Sequence, residues 1–154
     1  MKVRLILFTL TVLFASATVC LAQSPHMGTW KLNEAKSKFS PGAPKNQTVV
    51  YEAAGKDVKV IVDGVDGSGN PTHNEWTGKF DRKFYPVTGD PTTDMRSYRK
   101  INNRTLMLTN QKDGKVSVTG RITVTANGRS RTITTTGNDA TGKSVTNRAV
   151  YDKE

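Results

Sequence analysis

The chain has 154 residues, 23 lysines and arginines against 13 acids, and a formal net charge of +10. That length bounds it to one domain. The basic excess suits an anionic partner, but Lys and Arg are scattered singly or in pairs and no helical stretch could carry a basic stripe, so nucleic acid is not expected as a partner.

Lys2 and Arg4 form a positive start, and Leu5 to Phe14 is an apolar run broken only by Thr9 and Thr11. A stretch of mostly small residues follows, from Ala15 to Ala22. That order is the layout of a secretory signal peptide, and its apolar run is too short for a permanent membrane anchor. Cleavage after Ala22 is preferred, because Leu21-Ala22-Gln23 leads directly into polar sequence; a second point lies after Ala17. The expected organisation is therefore a signal peptide over 1–22 and a single domain over 23–154, secreted or periplasmic, with no integral membrane segment once processed. Processing removes two bases and no acid, so the charge falls to +8. Cys20, the one cysteine, lacks the small residue before it and the leucine three before it that lipid attachment requires, since Val19 and Ala17 stand there. The processed domain then has no disulfide and must rest on its own core, which fits a bacterial periplasm better than a eukaryotic exterior. The Asn46-Gln47-Thr48 and Asn103-Arg104-Thr105 glycosylation patterns are read as chance.

In chain order, Asn33 to Phe39 suits one or two helical turns capped by Asn33, ending before Ser40-Pro41-Gly42. From Gln47 onward, turn chemistry recurs: Ala54-Gly55-Lys56-Asp57, Asp66 to Pro71, Lys112-Asp113-Gly114-Lys115, Ala126-Asn127-Gly128-Arg129 and Gly137-Asn138-Asp139. Between these lie β-branched runs at Gln47 to Glu52, Val58 to Val65, Thr105 to Gln111, Lys115 to Val124, Ser130 to Thr136 and Val145 to Tyr151. Val116, Val118, Gly120, Ile122 and Val124 share one face of their run, while Ser117, Thr119, Arg121 and Thr123 share the other. Short alternating strands joined by hairpin turns predict an all-β antiparallel sandwich or barrel.

Two segments narrow this. Gly28-Thr29-Trp30-Lys31-Leu32 stands near the start of the processed chain, and Arg148-Ala149-Val150-Tyr151-Asp152-Lys153 near its end. The pair resembles the lipocalin or calycin superfamily, above all the fatty-acid-binding proteins, as a shorter bacterial secreted variant. The resemblance implies an antiparallel up-and-down β-barrel of about 8–10 strands, with Gly28, Trp30 and Arg148 as its structural signature. It implies that Trp30 closes one barrel end and finds partners for its ring and indole N–H on the last strand. With Tyr151 matched to the family's tyrosine, Ala149 takes the place of the arginine that holds a carboxylate there, and Arg148 falls on the opposite face.

Catalytic equipment is sparse. His26 stands in an N-terminal segment expected to be mobile, and His73 shares a strand face with Glu75, a polar flank of Trp76 rather than an acid–base pair. Asp63 to Asn70 lacks the distal ligand of a calcium loop and reads as a hairpin connection. Neither a metal nor another cofactor is expected, and the protein is expected not to be an enzyme. Among the aromatics, Trp76, Tyr98 and Tyr151 are the candidate lining of an amphipathic cavity, with Arg121 or Arg131 lending charge at its rim. The expectation is a monomeric, non-catalytic barrel that binds a small amphipathic or hydrophobic molecule. The alternative is a structural or interaction protein of the cell envelope with a filled core and a basic surface.

Overall fold

The computed structural model describes residues 24–139 and 141–154, so the signal-peptide reading and Cys20 lie outside the described residues. Ten strands run through it: β1 Gly28–Leu32, β2 Lys45–Ala54, β3 Asp57–Val65, β4 Pro71–Gly78, β5 Asp81–Thr88, β6 Met95–Asn102, β7 Thr105–Lys112, β8 Lys115–Val124, β9 Ser130–Asn138 and β10 Ser144–Lys153. Each pairs antiparallel with the next, and β1 pairs with β10 to close the barrel. Of the sandwich or barrel that the hairpin pattern allowed, the fold is the up-and-down barrel, at the upper end of the strand number that the resemblance implied. Closure leaves no sheet edge to template aggregation.

Local chemistry explains the hairpins. Between β7 and β8, Asp113 and Gly114 take φ of 50° and 74°, the pair of left-handed residues that a two-residue turn needs to match strand twist. The predicted helical segment is one 3₁₀ turn, Glu34–Lys36, with the Asn33 side chain accepting from the Lys36 N–H at 3.2 Å. β5 and β6 escape the alternation pattern. β5 carries Pro86, a half-exposed Phe84 and an irregularity between Asp81 and Phe84, where Arg82 has φ of 73°. β4 and β5 are hydrogen-bonded only around Glu75–Thr88 and Trp76–Val87.

The turns after β2, β4, β6 and β8 gather at one end with both termini of the described chain. That end is packed solid: Trp30, Val60, Trp76, Leu106, Ile122 and Val124 are all at most 1% exposed. Met27 and His26 plug it from below, with Phe80 against them. His26 is 1% exposed, which corrects the expectation of a mobile N-terminal segment. Its carbonyl oxygen accepts the Trp30 indole N–H at 2.8 Å, so segment and tryptophan lock together. No helix among the described residues is long and apolar enough to cross a membrane.

Candidate functional site

The opposite end is built differently. Above the packed layer, Tyr51, Tyr98 and Tyr151 enter from β2, β6 and β10, with Val49, Val62, Leu108 and Ile133 between them. Higher still the inward residues turn polar: Asn74 on β4, Arg96 on β6, Asn110 on β7, Thr135 on β9 and Asn147 on β10. These two tiers enclose a cavity of about 430 Å³ that opens past Phe39, Pro44 and the β5–β6 loop. β10 leaves room beside the tyrosine tier by sending in one small side chain. Ala149 lines the cavity between Asn147 and Tyr151. A second depression of about 530 Å³, between the β1–β2 loop and the β3–β4 turn, is an open surface groove.

The tyrosines are held by burial and by one another. The Tyr51 and Tyr98 hydroxyls lie 3.5 Å apart, and the Tyr151 hydroxyl donates to the Asn46 carbonyl at 2.8 Å. Burial pushes the Tyr151 phenol up to about 12, against the pull of Arg131. Burial likewise raises Tyr98, with Tyr51 adding to the effect. Both therefore stay protonated and present an apolar ring with a polar tip.

Arg131 lies beneath this tier. Strand alternation puts it on the inward face with Ile133, but at the packed end rather than at the rim. It is 0% exposed, and its guanidinium stacks 4.6 Å from the Trp30 ring centre, 4.9 Å from Tyr51 and 5.0 Å from Tyr151. None of its three nitrogens has a hydrogen-bond partner among the described residues. Three ring faces take the place of acceptors, an arrangement that gains strength from its dryness. The positive charge also helps hold His26 neutral: burial first, then Arg131, Lys100 and Lys153, bring its pKa down to about 4.

Arg96 is the buried cation of the cavity wall, to which Asp66 and Asp90 also contribute. It is 6% exposed, with its Nε donating to Asn110 Oδ1 at 2.9 Å and one terminal nitrogen donating to Asn74 Oδ1 at 3.3 Å. The Arg96 carbonyl in turn accepts the Trp76 indole N–H at 2.9 Å. Among the described residues every ion pair is made by a lysine or by His73, and none by an arginine.

Of the residues singled out from sequence, Tyr98 and Tyr151 face the cavity, while Trp76 stands below it, 4.8 Å from the Tyr98 ring and stacked on Phe80. Trp30 sits at the packed end, with ring partners from β9 and β10, Arg131 and Lys153. Its indole N–H goes to the N-terminal segment instead of the last strand. Gly28 begins β1 at φ of 104°, under the Lys153 side chain. Arg148 lies on the outer face, donating to the Lys36 carbonyl at 3.0 Å, and Arg121 is also exposed. His73 is outside as well, 2.6 Å from Asp63 and 3.6 Å from Glu75; the Asp63 hydrogen bond raises its pKa. Asp66 spends its carboxylate on the Ser68 and Asn70 N–H groups of its own turn, and no cluster among the described residues could hold a metal ion. Sequence reasoning missed Arg96, Asn74 and Asn110, whose one local signal is the inward parity that Arg96 shares with Tyr98.

The fold defines the class: a closed, ten-stranded antiparallel barrel, compatible with a calycin-like architecture. No family model matches the chain, and no curated protein matches it in sequence.

Proposed function

We propose that this protein is an exported, non-catalytic binding protein that takes one small amphipathic molecule into the open half of its barrel. The observation that carries the reading is the two-tier cavity, with apolar and tyrosine walls below and amides, hydroxyls and a guanidinium above. About 430 Å³ lies within the range of small-molecule sites. Amphipathic surroundings suit a ligand with an apolar body and a polar end, because each buried polar wall group needs a partner. A core filled to the rim would favour the envelope-structural alternative; the cavity favours binding.

The test is a titration with a neutral environment-sensitive amphiphile such as phenylnaphthylamine. One saturable site per chain is expected, with loss of binding in Ala149→Phe, which fills the cavity, and weakened binding in Tyr151→Ala. Absence of saturable binding by the wild type overturns the proposal.

A further inference from the structure

The upper wall of the cavity holds a guanidinium that makes no ion pair among the described residues. Arg96 is more than nine-tenths buried, and the two side-chain acceptors it reaches, Asn74 and Asn110, are neutral amides. A guanidinium has five N–H donors, so two such bonds leave part of the fork unengaged. Asp66 and Asp90 also line the cavity and Asp94 Oδ1 is buried without a hydrogen-bond partner, but among the described residues no acid forms an ion pair with Arg96. Asp94 Oδ2 accepts the Asp113 N–H at 2.7 Å, Asp90 Oδ1 accepts from the Thr92 N–H and hydroxyl, and Asp66 caps its own turn. Deeper in the same barrel Arg131 adds a second unpaired positive charge, compensated by rings. A buried charge set against neutral amides is costly unless something completes it. The amides also fix the plane of the guanidinium, and a pre-oriented fork is the geometry that accepts an oxyanion.

Resting on the binding reading above, we infer that the ligand is a small organic anion, and that its carboxylate, sulfonate or similar oxyanion sits at the open end of the cavity against Arg96. The Asn74 and Asn110 side chains frame that group. The apolar body points down onto Tyr51, Tyr98 and Ile133. The order follows from the tiers, because the guanidinium with free donors is in the upper wall, whereas Arg131 is sealed beneath the tyrosines. The last strand offers no competing anchor: Ala149 faces the cavity and Arg148 faces solvent.

The experiment compares two probes with one ring system, anilinonaphthalene sulfonate and the neutral phenylnaphthylamine, on the intact processed protein. The sulfonate is expected to bind at least ~10-fold more tightly, the scale of one charge-assisted hydrogen bond in a dry site. Arg96→Met should remove that advantage, weakening the sulfonate far more than the neutral probe. Asn110→Asp is the independent variant: it sets a carboxylate where the Arg96 Nε now meets an amide oxygen, so it keeps the fold and cancels the preference from within. Ala149→Phe should abolish both probes, which separates the cavity from the basic exterior. If the neutral probe binds as tightly as the sulfonate, or if Asn110→Asp binds the sulfonate like the wild type, the anion assignment is wrong and the binding reading survives. Binding of neither probe overturns both.

Discussion

Replacing Trp30 with alanine tests the packed end of the barrel most directly. The side chain is 0% exposed, and truncating a buried large aromatic costs about 3–5 kcal/mol. Two further losses are specific to this site. The indole N–H no longer reaches the His26 carbonyl, now 2.8 Å away, which is worth about 1 kcal/mol. Arg131, stacked 4.6 Å from the ring, loses one of three faces, worth about 1 kcal/mol. A total of about 5–7 kcal/mol is comparable with the whole stability of a small domain, so Trp30→Ala should be largely unfolded at 37 °C or close to it. Urea denaturation followed by far-ultraviolet circular dichroism avoids the change in fluorophore. Trp30→Phe, which keeps most of the packing, should lose about 2 kcal/mol, from the hydrogen bond and part of the stacking. A loss below about 1 kcal/mol for Trp30→Ala would show that His26, Met27 and Arg131 hold the barrel end without it.

His26 gives a pH dependence with a definite sign. Its folded pKa of about 4 lies below the ordinary 6.5, so the unfolded chain binds the extra proton between those values. Its contribution, up to about 3 kcal/mol, is complete above pH ~6.5 and is lost as pH falls toward ~4. His26→Phe should flatten that part of the stability profile, and an unchanged slope would refute the assignment. Gly64→Ala should cost about 1–3 kcal/mol, because a Cβ there collides with the Lys45 carbonyl oxygen beside the β2 irregularity. Gly55→Ala, in open space at φ of 64°, should cost only the left-handed strain of about 1–2 kcal/mol; calorimetry of the pair checks the order. Intact mass of protein exported by a bacterial host should correspond to a chain beginning at Gln23, and an acylated Cys20 would refute that processing.

The strands with clean alternation were legible before any coordinates: β2, β3 and β7 to β10 fall within a few residues of the runs read from sequence. β5 and β6 were not: Pro86 and the irregularity at Arg82 interrupt β5, and in β6 Arg96, Ser97 and Tyr98 are buried in succession, which breaks the two-residue period that makes a strand visible. The site divides in the same way. Tyr151 could be seen because it sits in a regular strand near a recognisable terminus. The parity of Arg131 was readable too, since Ile133 and Thr135 share its face. Its depth was not, because that depends on Trp30, Tyr51 and Tyr151 converging from three distant strands. Nothing local marks His26 as buried; its place follows from a carbonyl that meets an indole four residues on.

β1 is only five residues long, yet it is paired on both sides, with Trp30 opposite Val49 on one flank and Lys153 on the other. The second pairing joins the two ends of the domain, so most of the chain must be looped before it can form. Contacts of that range slow folding and come late. A chain emerging from a ribosome or a membrane channel with its N-terminus first can zip β2 to β9 hairpin by hairpin, but it cannot shut until the final strand has cleared the exit. Until then β1 and β9 each present an open edge. The interval between emergence and closure, rather than the finished barrel, is when this protein is most exposed to aggregation and proteolysis.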